Sequence, residues 1–317
     1  MKKFAFTLAA LSLAVSGAVS AAPVGGASST HVSIGSSNIA PGGTPGYSGL
    51  AFSSTGSAPY SGYADLLQAP IAQATNGVAD SNGDRWAKQP GTAVTIAQVW
   101  KSTANATADI SSLRQVMTPS APMPVFGGLV IGQVKRDHDA NPATANQAYA
   151  LGQGVYFGEW SPQNSPTTSP STNLNMSSAD RTVWYVGDNA VAATPELVDV
   201  EYNVVGIRRT GETTSGYGNN QPNSPDLYTG VLTANYDPTT ATGDITGSIS
   251  RYSATGADIV NFAGTDIHSN GRFSQGSAIE GQFYNGAEAL AGIYKGGSTT
   301  DHVAFGGSYN GNGDIIP

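Results

Sequence analysis

After residue 180 the chain breaks into short runs of strand character, each closed by Gly, Asn, Asp or Pro. The runs span residues 182–187, 197–207, 227–236, 244–252, 258–265, 278–284, 289–295 and 302–309. Alternation is plainest at residues 197–205. There Val198, Val200, Tyr202 and Val204 point one way, and Asp199, Glu201 and Asn203 the other. Ile279, Gly281 and Phe283 repeat the pattern against Glu280 and Gln282. One apolar face on eight closely spaced strands predicts an antiparallel sheet with a wet outer face. Eight strands suffice to close a small barrel whose interior is filled by side chains, and closure removes edges open to aggregation. Gly247, Gly281, Gly292 and Gly306 fall inside strands, where they relieve crowding as the sheet bends. The alternative, a transmembrane barrel, calls for longer strands with an apolar outer band and aromatic girdles, and the sequence has no clear sign of either.

The preceding half has a different texture. Residues 23–60 are rich in Gly, Ser, Ala and Pro and suit an extended lead-in, edge strands or a loop equally. Ser61–Gln68 is predicted as a short helix capped by Ser61, and Val94–Lys101 as a strand. Asp109–Met117 is predicted as a second short helix: Asp109 can cap it, Ile110, Leu113 and Met117 recur at helical spacing, and Pro119, Pro122 and Pro124 stop it. Val125–Val134 and Gly154–Trp160 read as a hairpin pair with a long connection. Residues 161–180, rich in Ser, Pro, Asn and Thr, read as a linker or long surface loop. The expected fold is therefore mainly β: a β-rich N-terminal handle domain with short helices (residues 22–180), then a C-terminal eight-stranded antiparallel β-barrel (residues 181–317).

Residues 1–21 have the form of an export signal: Lys2 and Lys3, an apolar run from Phe4 to Val15, then small residues up to Ala21. The apolar run is short for a membrane anchor, so the expectation is Sec export and a secreted protein. The chain has no cysteine, which removes disulfides, thiol nucleophiles, Cys-bound metals and a lipid anchored on an N-terminal Cys. Only 11% of residues are charged and the net charge is −8. That balance argues against nucleic acid as a partner, which selects a basic surface. No metalloprotease, nucleophile-elbow, Walker or dinucleotide motif is present, so no enzyme activity is expected.

Residues 271–309 carry, in order, Phe273-Ser274 before Gly276, then the run from Gly281 through Phe283-Tyr284 to Gly286-Ala287-Glu288-Ala289-Leu290-Ala291-Gly292, then Ala304-Phe305-Gly306-Gly307-Ser308-Tyr309. This stretch resembles the last barrel hairpins of transferrin-binding protein B and the Slam-dependent surface lipoproteins. Residues 154–160 followed by 182–189 resemble the joint between handle and barrel in hemophilin-type secreted proteins. The likeness spans roughly residues 180–317 and is much weaker over 23–150. The missing cysteine sets this chain apart from the lipoproteins and moves the analogy toward the soluble hemophilins. What the resemblance implies is a Gram-negative secreted hemophore: export through a Slam-type outer-membrane channel, heme held by the handle, and delivery to a TonB-dependent outer-membrane receptor. A host heme protein is a further implied partner.

Heme iron takes one or two axial donors, most often His. The chain has four His. His268 and His302 fall in the barrel region and read as structural. His138, between Asp137 and Asp139 in the long handle connection, is the first candidate ligand; His31 is the second. Lys135 and Arg136 are candidates to meet the heme propionates by charge-assisted bonds. Tyr47, Tyr60, Tyr63, Tyr149, Tyr156, Trp86 and Trp100 are candidate walls for a flat cofactor, or simply core. The same scaffold with another metal or metallo-cofactor such as cobalt, and a host-surface adhesin without a small ligand, are the alternative functions.

Overall fold

A computed structural model describes residues 22–38, 46–53, 62–88, 92–116, 127–137, 145–163, 173–209, 227–251 and 259–317. The export signal, Ser61, Tyr60 and His138 lie outside the described residues. Strand β1 (Val24–Ala27) is followed by β2 (Val32–Ser36), β3 (Ser48–Phe52) and β4 (Ala64–Asp65), which form a small three-stranded sheet. A single helical stretch follows: a wide turn at Leu67–Ile71 runs into α1 (Ala72–Thr75). The segment expected as a helix from Ser61 to Gln68 is thus extended at β4, and the helical turns begin later, at Leu67.

The handle continues with β5 (Val78–Ala79), β6 (Arg85–Lys88), β7 (Thr95–Ser102), β8 (Ala108–Gln115), β9 (Gly128–Val134), β10 (Val155–Ser161) and β11 (Thr182–Gly187). With β1 these make one antiparallel sheet in the order β1-β11-β10-β9-β8-β7-β6-β5. Two expectations are corrected here. Asp109–Met117 is not a helix: residues 108–115 are strand β8, between β7 and β9. The run 182–187 is a handle strand, paired with β1 and β10, so the barrel does not begin at residue 181. The expected hairpin is present as β9 and β10. Part of the expected surface linker is buried: Leu174 and Met176 are fully covered, and Ser161 Oγ donates to the Leu174 carbonyl at 2.5 Å.

The barrel comprises β12 (Glu196–Ile207), β13 (Tyr228–Asp237), β14 (Thr242–Arg251), β16 (Thr265–Ile267), β17 (Arg272–Gln275), β18 (Ile279–Tyr284), β19 (Ala289–Tyr294) and β20 (Val303–Tyr309). Each pairs antiparallel with the next, and β20 pairs back to β12, so the eight strands close. Two short strands hang on the path: β15 (Ile259–Asn261) on β14 and β21 (Asp314–Ile316) on β12. The barrel count of eight is right, but two of its expected members are not: 182–187 is β11 of the handle, the run 258–265 is mostly β15 off the closed path, and β16 and β17 take their places. Within β12 a bulge between Leu197 and Val200, with Asp199 at φ 49°, turns Leu197 inward and leaves Val198 exposed.

Aromatic rings fill the barrel. Phe262 and Phe305 meet edge to face at 5.1 Å, and Phe273 and Phe283 lie tilted at 5.3 Å. Gly281 makes this packing possible, because a Cβ there would lie 2.1 Å from the Phe273 ring. Tyr202 reaches across to donate its hydroxyl to the Ala287 carbonyl at 2.7 Å.

The outer face is not wet all round. On β12, β19 and β20 it presents Val205, Ala289, Ala291, Ile293, Ala304 and Gly306, all buried against Val130, Phe157 and Tyr185 of the handle sheet. These small residues let the two sheets approach closely. A Cβ on Gly306 would stand 2.5 Å from the Phe157 ring. The opposite face of the handle sheet, with Leu113, Tyr156, Trp160 and Trp184, packs on the small sheet and the helical turns through Leu50, Phe52 and Leu66. The molecule is therefore three layers: small sheet with helix, handle sheet, barrel.

Candidate functional site

The barrel lies over β1, β9, β10 and β11 at one side of the handle sheet. The other side, β5 to β7, extends past it. There a cleft of about 540 Å³ opens, lined by Val78, Ala79, Trp86 and Val116, with Lys88, Thr95 and Asp80 as its polar groups. Val78 is 55% exposed.

The local sequence explains how Trp86 is held. Residues 80–84 form a tight turn between β5 and β6, with Gly83 at φ 88°. The Asp80 carboxylate accepts the backbone N–H groups of Asn82 (2.8 Å) and Asp84 (3.1 Å) and the indole N–H of Trp86 (2.9 Å). These donors, the indole first, hold the Asp80 carboxyl below its ordinary value. Strand alternation then sends Ala87 into the core and leaves Trp86 half-buried beside the cleft. Trp86, Gln98 and Arg114 form a cross-strand row. Gln98 donates to Asp84 at 3.1 Å and accepts from Arg114 at 3.1 Å, so the floor beside the indole is bonded through. Burial lowers the Arg114 pKa.

The residues expected to bind heme stand elsewhere. His31, at the start of β2, stacks on Trp160 at 5.5 Å, and Trp160 stacks in turn on Phe52. Its Nδ1 bonds the Ser53 carbonyl at 2.8 Å and its Nε2 faces Asp180 at 3.5 Å. The ring is thus fixed against Trp160, with Nδ1 bonded to the backbone and Nε2 turned toward Asp180. Lys135, just past β9, is buried and pairs with Asp109 at 3.2 Å. Arg136 lies over the Tyr149 ring at 5.1 Å and donates to Gln153 at 3.1 Å. Trp160 pairs with Leu129 of β9, while Arg136 is seven residues further along the chain, past the end of that strand. At about 3.3 Å per residue His31 and Arg136 are roughly 20 Å apart. The structure does not bring them together. Of the candidate aromatic walls, Tyr156 is core, Tyr149 serves Arg136 and the seam with the barrel, and Trp86 lines the cleft.

A second polar cluster lies beneath the small sheet. Asp188 accepts the backbone N–H and hydroxyl of Ser48 at 2.8 and 2.9 Å. Asp65 accepts the Gln68 N–H at 2.8 Å. Burial raises the pKa of both carboxyls. Among the described residues no three His, Cys, Asp or Glu side chains come together as a metal site. A search of protein-family models gives no match to this chain.

Proposed function

We propose that this chain is a secreted, two-part cargo protein whose barrel serves export and delivery and whose handle captures heme in the cleft at the free side of β5–β7. The cleft carries the reading: Val78, Val116 and a fixed indole suit a flat apolar ring, and Lys88 suits an acidic group on it; among the described residues no His, Tyr or Met lines the cleft, so its residues fit the macrocycle and not an axial bond to iron. Burial of such a ring on Trp86, Val78 and Val116 supplies most of the affinity, at roughly 25 cal/mol per Å². Lys88 then selects the end that carries carboxylates. The sequence likeness of the last barrel hairpins to the Slam-dependent proteins supports the division of labour, with a Slam-type channel and a TonB-dependent receptor as partners. The filled barrel interior leaves cargo to the handle.

Titration of the full chain with hemin, followed by the Soret band, tests this. Wild type should shift the band and saturate. Trp86→Ala should weaken binding about tenfold, the equivalent of about 1.4 kcal/mol, Lys88→Ala should weaken it less, and His31→Ala should leave it unchanged. A wild-type titration without any Soret change removes heme as the cargo. Binding unaffected by Trp86→Ala moves it out of this cleft.

A further inference from the structure

Most of the seam between handle and barrel is apolar, but one end is charged. Arg181, fully buried just before β11, pairs with the equally buried Glu159 of β10, at 2.8 Å from Nε and 2.5 Å from Nη2. Its Nη1 and Nη2 also donate to the carbonyls of Thr299 (2.9 Å) and His302 (3.0 Å) in the barrel. One handle guanidinium thus grips the turn between β19 and β20. Arg208, at the end of β12, grips the same turn from the barrel side, donating to the Thr300 carbonyl at 2.9 Å and pairing with Asp301 at 2.8 Å.

His302 sits between these grips. Its Nδ1 is buried and has no hydrogen-bond partner among the described residues. The charges that face it are Arg181 from the handle, Lys295 from the end of β19, and Asp301 beside it in the turn. The nearby carboxylates are already engaged: Glu159 by Arg181 and the Arg209 N–H (2.9 Å), Asp301 by Arg208, and Glu280 of β18 by Lys295 (3.3 Å). A proton on His302 would add a third cation beside two, with no unengaged carboxylate among the described residues to receive it.

We infer that His302 is an acid-sensitive latch on the handle–barrel seam, closed while the imidazole is neutral and loosened when it is protonated. The latch is independent of what the cleft holds. Burial, then Arg181, then Lys295 keep its pKa below the ordinary 6.5, with Asp301 acting the other way. The closed form is the poorer proton acceptor, so the seam keeps its full stability above that ordinary value. It loses stability as pH falls from there toward the lowered value. Within that window opening rises by up to about tenfold per pH unit for one proton.

Hydrogen exchange of the full chain at pH 7.5, 6.5 and 5.5, corrected for the intrinsic exchange rate, reads this directly. Opening of β11 and β20 should rise several-fold on acidification, while β13 and β14, on the far side of the barrel, stay nearly constant. His302→Asn should abolish the rise. Lys295→Gln, at a part-exposed position tolerant of substitution, should shrink it, and it decides the matter alone if His302→Asn fails to fold. An equal rise in β13 and β20, or a full rise retained in the variants, overturns the latch.

Discussion

The handle sheet and the barrel are both antiparallel, yet they bury their strands in opposite ways. Barrel strands such as β13 hide one face: Tyr228, Leu232, Ala234 and Tyr236 point in, while Thr229, Val231 and Asn235 point out. Handle strands β9, β10 and β11 are buried at every residue, because the small sheet covers one face and the barrel the other. The cylinder is packed with aromatic rings, and its own hollows, about 530 Å³ beside Glu196 and Gly286 and about 150 Å³ beside Arg208 and Val303, lie at its turns. A sheet covered from both sides has space only where one cover runs out, and that is where the cleft lies. The contrast predicts that damage inside the barrel unfolds the protein, whereas changes at β5–β7 alter binding.

The sharpest test of that contrast is Phe305→Ala. The ring is fully buried, meets Phe262 edge to face and lies 6.3 Å from Phe273. Its loss should cost about 3–5 kcal/mol in urea unfolding. Val78→Ala at the cleft should cost within about 0.5 kcal/mol. Similar costs for the two would mean that the barrel interior is not a solid core. A smaller effect separates the two outer faces of the barrel. Gly306→Ala drives a methyl into Phe157 and should cost about 1–3 kcal/mol. Thr233→Ala, on the uncovered side, should be near neutral. Equal tolerance at the two positions would break the claim that β20 is docked.

The same contrast explains what the sequence disclosed. The barrel was legible because one-sided burial writes period-two alternation into residues such as Val200, Tyr202 and Val204. It also explains the error at β8. There Ile110 faces the barrel side and Leu113 the small sheet, with Ser111 and Ser112 buried between them. Burial on both faces erases the period of two and leaves an accidental helical spacing. The unbroken apolar run of β11 carried the opposite clue, since a strand apolar on both sides belongs between two covers. β17 escaped notice because only Phe273 of its four residues is buried. At the site, Trp86 was legible as a candidate wall. The histidine and basic residues were chosen by side-chain type alone, and type does not reveal that Trp160, Asp109 and Tyr149 already occupy them.

The smallest effect expected tests the handle's own interior, and its sign is opposite to that of the seam. Asp188 is 2% exposed, and burial is the largest influence on its carboxyl, outweighing the two Ser48 bonds and the Gly154 backbone bond that favour the anion. Its folded pKa therefore lies above the ordinary 3.8, and the folded form is the better proton acceptor. This group adds stability as pH falls through its raised value and withholds it at neutral pH. Asp188→Asn keeps an oxygen for the Ser48 donors and removes the buried charge. The variant should match or exceed wild type at pH 7 by at most about 1 kcal/mol, and its stability should gain less than wild type's on acidification. A clear loss at pH 7, measured by urea midpoint, would mean that the anion is needed there, and that a partner charge holds the small sheet to β11.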